Sequence, residues 1–149
     1  MAATAAAKRN VDVVRRFNEE VFNGRDYDLV SELQTEDYVQ HGPMAGVEVH
    51  GTEEAVETMR LFHAAFSDLE ATEAFSFGDG EYVCTHYIYR GTHDGDFMGI
   101  APTDVEAEVH GTIVNRFEDG KVAEAWVTVD LLGLLQQVGA VPDLGEIAA

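Results

Sequence analysis

Six histidines, at positions 41, 50, 63, 86, 93 and 110, are the side chains of this 149-residue sequence best suited to moving protons near neutral pH. Their spacing argues against a metal. No HxxxH pair falls on a helix and no tight His/carboxylate cluster occurs. The single cysteine, Cys84, excludes a cysteine cluster or an intrachain disulfide, carries no nucleophile motif and is expected to pack. No Gly-rich loop follows a strand and opens a helix, so no phosphate site is expected. The chemistry open to such a chain is cofactor-free: an imidazole taking a proton from carbon beside a carbonyl.

Which histidines reach a pocket depends on the strands that carry them. His86 lies in EYVCTHYIYRG, on the side shared with Tyr82, Cys84, Ile88 and Arg90. The other side holds Val83, Thr85, Tyr87 and Tyr89, so alternation alone leaves open which side faces inward. His93 belongs to the GTHDGD loop, which could cover a pocket mouth, and is expected to be solvated. In GKVAEAWVTVD, one side carries Val122, Glu124, Trp126, Thr128 and Asp130, and the other Ala123, Ala125, Val127 and Val129. In 103–117, Val105, Ala107, Val109, Gly111, Ile113 and Phe117 alternate with Glu106, Glu108, His110, Thr112 and Arg116, with Asn115 interrupting the apolar row. A sheet buries its apolar side, so Val127 and Ile113 should point in, and Glu124, His110 and Asp130 out.

The elements that would position these residues fall into two halves. Apolar residues at helical spacing (Val11, Val14, Phe17, Val21, Phe22) predict a helix over 3–23, stopped by Gly24. A short helix follows, capped by Asp26 and ending near Gln34, with Leu29, Val30 and Leu33 inward. DYVQHGPMAG reads as a brief extended piece and a turn. A third helix opens at a Thr52 cap with Glu53 and Glu54 in its first turn, and its inner stripe is Val56, Met59, Phe62 or His63, and Phe66. The period then changes to two: strands are predicted over 69–77, 81–91, 103–117 and 121–130, with GDG and EDG as hairpin turns. LLGLLQQVG closes with a short helix. Helices first and an antiparallel sheet after is the α+β pattern, expected as one domain over 1–149.

Composition limits the partners. With 28 acidic and 9 basic residues, the formal net charge of −19 disfavours nucleic acid and anionic membranes. Such an excess fits a halophilic adaptation, in which salt screens the self-repulsion. No apolar run approaches the roughly 18 residues of a membrane span, and MAATAAAKRN lacks the order of a secretory signal, so the chain is expected in the cytoplasm.

FNEEVFNGRDYD, EDYVQHGP, RGTHDGDFMGIAPT, NRFEDGKVAEAW and VDLLGLLQQVG together resemble the SnoaL-like polyketide cyclase family, from about residue 11 to residue 139. The resemblance implies the cone-shaped α+β fold of ketosteroid isomerase and nuclear transport factor 2: a curved, mostly antiparallel sheet around N-terminal helices, enclosing one deep pocket. It also implies His41 as a polar pocket residue, since the family often carries His or Asn there. Gln40 could orient a carbonyl, although alternation turns it and His41 to opposite sides. In the aldol cyclases of the family, a carboxylate on the last strand is the general acid/base. Counting from Lys121 and Val122 puts that position on Val127, and the companion histidine's position on Ile113.

The expected site therefore has His41 and His86 as catalytic candidates and Gln40, Phe17, Met59, Ile113, Asn115 and Val127 as pocket lining, with no metal and no cofactor. The ligand expected is a small, largely apolar carbonyl compound. Two readings follow: a cofactor-free cyclase, isomerase or hydrolase, or a binding module for which a dry pocket suffices. A third is an accessory dimer acting through a protein partner. Trp126, large and apolar on an outward polar face, points to a homodimer through the outer sheet surface.

Overall fold

The computed structural model describes residues 4–145. Ala3, with which the first predicted helix began, and the last four residues of the tail lie outside that range. Helix α1 (Ala5–Arg16) is capped by the Thr4 hydroxyl, which accepts from the Ala7 amide at 3.1 Å. The same helical path then widens into a π-helical turn over Phe17–Asn23. The wider turn coincides with a tether: Asn18 and Asn23 both donate to the Ala71 carbonyl, at 3.0 and 2.9 Å, and Asn23 accepts from the Ala71 amide at 2.8 Å. The second predicted helix is a 3₁₀ turn (Tyr27–Leu29) running into α2 (Val30–Leu33), and Asp26 makes no capping bond there. Its packing follows the pattern all the same, because Val30 and Leu33 are buried.

The short extended piece expected after it is an eight-residue strand, β1 (Gln34–His41), which reaches back to Gln34. Strand β2 (Glu48–His50) pairs antiparallel with β1, and α3 (Gly51–Ala65) follows directly. The helix starts one residue before Thr52, so that residue is not its cap. Position N-cap belongs to His50, whose amide donates to Glu54 at 2.7 Å. Strands β3 (Glu70–Asp79), β4 (Tyr82–Thr92), β5 (Glu106–Glu118) and β6 (Lys121–Val129) form an antiparallel meander. Strand β6 then pairs in parallel with β1, giving the order β2-β1-β6-β5-β4-β3 in a curled, unclosed mixed sheet. The EDG turn between β5 and β6 has positive φ at both Asp119 (49°) and Gly120 (81°), the type I′ geometry that suits strand twist. Helix α4 (Leu131–Gln137) ends the fold, its start held by Asp130 accepting from the Gly133 amide at 2.8 Å.

Two departures from strict alternation matter for the site. Strand β5 begins at Glu106 rather than Thr103, because the amides of Thr103 and Asp104 are taken by the His93 carbonyl. Between the pairs Phe117↔Val122 and Arg116↔Glu124, β6 carries one extra residue, Ala123. That bulge turns Val122 inward beside Ala123, so both are buried, and Val122 leaves the polar side that pure alternation assigned to it.

The buried side chains gather in separate clusters along the sheet. One joins Val14, Tyr38, Ala55, Val83, Phe117, Val122 and Ala125. Another joins Phe66, Phe97, Ala107, Val109, Leu134 and Val138, with Phe62, Leu69, Tyr89 and Val129 against it. Each fully buried aliphatic or aromatic residue contributes about 1.5 to 3 kcal/mol by leaving water.

Candidate functional site

A cavity of about 180 Å³ lies among residues of both clusters. The inner sides of β1, β4, β5 and β6 supply its sheet wall. Strand β4 presents Tyr87 and Tyr89, not His86, which answers the question of facing that alternation left open. Gly111 makes room for this: a Cβ there would stand 2.9 Å from the Tyr89 ring. Ile113 and Val127 face each other across the β5–β6 ladder and both line the cavity. Gln40, Ala125 and Asn115 occupy one cross-strand row, with the small Ala125 between the two amides. Phe17 from the π-helical turn and Met59 from α3 close over the sheet. Gln40, Phe17, Met59, Ile113, Asn115 and Val127 are thus brought together in one lining.

Among the described residues, no Asp, Glu, His, Lys, Arg or Cys side chain is part of that lining. Its polar groups are amides, hydroxyls and phenols. Tyr38 donates to Gln40 at 3.1 Å, and the Gln40 amide donates onward to the Gly42 carbonyl at 3.1 Å. Thr58 donates to the Glu54 carbonyl of its own helix at 2.8 Å. Gln34 is 5% exposed, and its carboxamide oxygen has no partner among the described residues. Burial pushes the Tyr87 phenol up to about 12, and drives Tyr38 and Tyr89 higher still. All three therefore stay protonated near neutrality, as hydrogen-bond donors.

The two catalytic candidates lie elsewhere. His41 projects from the outer side of β1, where its Nε2 meets Glu124 at 2.6 Å and its Nδ1 meets Glu48 at 2.9 Å. Its ring stacks on Trp126 at 5.5 Å. The hydrogen bond to Glu124, with Glu48 adding to it, raises the imidazole above its ordinary pKa. Glu124 is lowered in turn by His41 and by Arg116, whose Nε donates to it at 3.1 Å. His41 borders a shallow hollow of the 41–48 turn, which shares Pro43 and Val127 with the cavity. Gly42 is needed there: its φ is 94°, and a Cβ would come within 2.3 Å of the Val127 carbonyl oxygen. His86 also lies on the outer face, stacked on Phe75 at 5.3 Å, with Thr112 at 2.9 Å from Nδ1 and His110 at 3.1 Å from Nε2.

Sequence reasoning placed His93 in solvent, and the structure corrects this. The side chain is fully buried, hydrogen-bonded to Thr103 at 2.9 Å and packed on Phe66 at 5.3 Å. Its backbone also bonds to Val105, Thr103 and Asp104, so it pins a loop closed from inside. Among the described residues, no group of three or more His, Cys, Asp or Glu side chains is arranged to hold a metal. No helix there is long and apolar enough to cross a membrane.

The model of the SnoaL-like polyketide cyclases matches residues 12–138. The chain belongs to that family. Among solved structures, it is similar to IdmH, a candidate polyketide cyclase from Streptomyces antibioticus. That likeness has 29% identity and a TM-score of 0.77, covering 87% of this chain and 98% of the other. AclR, a candidate hydroxylase from Streptomyces galilaeus, shares 25% identity over 95% of this chain and 88% of its own, with a TM-score of 0.82. A candidate SnoaL-like polyketide cyclase from Jannaschia sp. CCS1 has the same fold, with a TM-score of 0.86 at 24% identity over 95% and 99% of the two chains. No functionally curated protein matches.

Against that family background, sequence reasoning left out the lining residues Gln34, Tyr38 and Phe22, and left Tyr87 and Tyr89 as one of two possible sides of their strand. Gln34 had been given to the end of a helix. The period-2 run Gln34, Glu36, Tyr38, Gln40 was the available signal, and the bulge between Gln34 and Val39 disturbs it.

Proposed function

We propose that this SnoaL-like protein binds a small, largely apolar carbonyl compound in the cavity between its sheet and helices. We also propose that it does not use the carboxylate route of its cyclising relatives. One observation carries both parts: no side chain in the lining exchanges a proton near neutral pH. Val127 and Ile113, the positions that the family resemblance assigns to the acid/base pair, are hydrocarbon. Buried phenols and the Asn115 amide can donate to a carbonyl oxygen, and the rest of the wall excludes water. Binding and polarisation need no more than this; enolisation also needs a base.

The test is calorimetric titration of small aromatic and alicyclic ketones, with the matching hydrocarbons as controls. Ketones binding at least as tightly as the hydrocarbons support the reading. Failure of the whole panel to bind overturns it.

A second, catalytic reading rests on the His41–Glu124 pair beside a hollow that shares Val127 with the cavity. A substrate bridging the two would meet an oriented imidazole. Turnover of β-keto esters or lactones that His41→Ala lowers by about 10² to 10⁴ supports it, and turnover indifferent to that change removes it. The outer face is further proposed as the contact between two copies. Phe77, Cys84, Val114, Trp126 and His41 form one row across five strands, and Phe75 and Phe77 are 57% and 58% exposed.

A further inference from the structure

Two histidines that the cavity does not use meet on the outer face of the sheet. His86 Nε2 lies 3.1 Å from His110 Nδ1 across the β4–β5 ladder, where His86 pairs with Thr112 and His110 with Ile88. That spacing suits a shared metal ion as well as a hydrogen bond. Two imidazole nitrogens 3.1 Å apart, each bound at about 2.0 to 2.1 Å, subtend about 95° to 102° at the metal, between the octahedral and the tetrahedral angle. The His86 ring is already held for this role: it stacks on Phe75 at 5.3 Å, and its Nδ1 is 2.9 Å from the Thr112 hydroxyl. With its proton on Nδ1, donated to Thr112, His86 turns the Nε2 lone pair toward His110, and an outer hydrogen bond of this kind fixes the tautomer of a metal-bound histidine. His110 then carries its proton on Nε2 and offers Nδ1.

The pair fills half of a tetrahedral shell. Among the described residues, no third His, Cys, Asp or Glu joins it. Its position in the sheet indicates what does. Strands β6, β5, β4 and β3 lie side by side, and the β4–β5 junction is the middle of this meander, with exposed Phe75 and Phe77 on β3 to one side and exposed Trp126 on β6 to the other. A twofold contact through this face sets its middle against itself, and so brings one histidine pair to the other. Charge points the same way: two chains of net charge −19 repel each other, and a dication held between them offsets part of that repulsion.

We propose that His86 and His110 are half of a site for a divalent transition metal, which the same two residues of a second copy complete with four imidazoles, so that metal binding and pairing of chains are linked. The proposal rests on the outer-face contact and adds a ligand to it. Imidazole donors suit zinc, copper and nickel and leave magnesium, which prefers oxygen, unbound.

The experiment is sedimentation equilibrium of the full chain at pH 8 over a range of concentrations, after stripping with EDTA, together with a calorimetric zinc titration. Zinc should bind at one ion per two chains. At a free concentration about a hundredfold above its dissociation constant, it should tighten the dimer about a hundredfold. Magnesium at the same concentration screens charge without coordinating imidazole, and should change the dimer less than about threefold. His86→Gln and His110→Gln should each keep the zinc-free dimer and reduce the effect of zinc to less than about threefold. One zinc per chain, or no zinc bound, overturns the proposal and leaves the outer-face contact to its own test. Magnesium matching zinc overturns it as well, because screening alone would then explain the gain. Chains that stay monomeric with and without zinc overturn both. If His86→Gln does not fold, exposed His110 and the stoichiometry on the wild type decide.

Discussion

His63 makes a pH dependence that can be worked from its surroundings. The ring sits on the inner side of α3, 9% exposed. Its Nδ1 meets the Tyr27 hydroxyl at 2.5 Å, and its Nε2 is buried without a partner among the described residues. Phe22 packs edge-on at 5.0 Å. Burial, and after it the Arg25 charge, draw the imidazole down to about 4. It is therefore neutral in the folded protein at pH 7, while in the unfolded chain it titrates near its ordinary value of about 6.5. Below that value the unfolded chain takes up a proton that the native state refuses. Stability falls as pH drops from about 6.5 toward 4 and levels off once the native imidazole also protonates. At about 1.36 kcal/mol per pH unit, the loss attributable to His63 is about 3 kcal/mol. His63→Gln keeps an acceptor for Tyr27 and cannot titrate. Urea unfolding of both proteins from pH 8 to pH 4 gives a difference curve in which carboxylates common to both cancel. The wild type should lose about 3 kcal/mol more than the variant over that range. A difference curve flat to within about 0.5 kcal/mol would refute the reasoning. Because Phe22 also lines the cavity and packs on Tyr89 at 5.9 Å, ligand affinity should weaken over the same range in the wild type alone.

His41 should behave in the opposite sense. Its pKa is raised by Glu124 and Glu48, so its contribution is fully present below about pH 6.5 and is lost as pH rises through the raised value. An NMR titration of its ring should have a midpoint above that of a free histidine, and one below it would be contrary to the pairing. Trp126→Glu together with Phe77→Glu should convert a dimer to monomer in sedimentation; an unchanged sedimentation coefficient would move the contact off this face. With a net charge of −19, the melting temperature should rise from dilute buffer, where the Debye length is about 30 Å at 0.01 M, to molar potassium chloride. A flat profile would remove the halophilic reading. Val127→Ala should cost about 1 to 3 kcal/mol in ligand affinity through lost contact, read by calorimetry, and no change would put Val127 away from the ligand.

How far each feature could be read from the sequence depended on whether its physical cause is periodic. Ile113 and Val127 face inward because two-residue alternation on β5 and β6 separates hydrocarbon from charge cleanly, so their side was legible without any structure. On β4 both sides mix aromatic and polar residues, and the choice falls to packing. Val83, Thr85 and Tyr87 are buried against the helices, and His86 is left outside. Val122 was misread because a single inserted residue reverses the pleat and leaves no mark in composition. The parallel partner of β1 was illegible for a similar reason: β1 and β6 are about eighty residues apart in sequence, and only the closed fold brings them together. His93 was misread because GTHDGD has the composition of a solvated loop. The loop is instead folded over its own histidine, against the end of α3, where a Cβ on Gly95 would stand 2.0 Å from the Ala64 carbonyl oxygen.

The charged outer face and the neutral cavity follow from one alternation along the strands. Strands β4, β5 and β6 send His86, His110, Arg116, Glu124 and their neighbours to the outer face, and their inner positions are filled by residues that carry no charge near neutrality. A carboxylate introduced at Val127 would enter that wall opposite Ile113, with no cation among the described lining residues to hold it ionised. Burial would then raise its pKa and leave it a protonated acid rather than a base. On the positions that the family resemblance implies, the cyclase route thus takes at least two coupled changes across one ladder, one at Val127 and one at Ile113. A single Val127→Asp chain should fold less stably than the wild type and turn over no β-keto ester that the wild type leaves untouched. Cyclase activity from that single change would mean that the cavity already holds a cationic partner for the new acid, contrary to the lining described above.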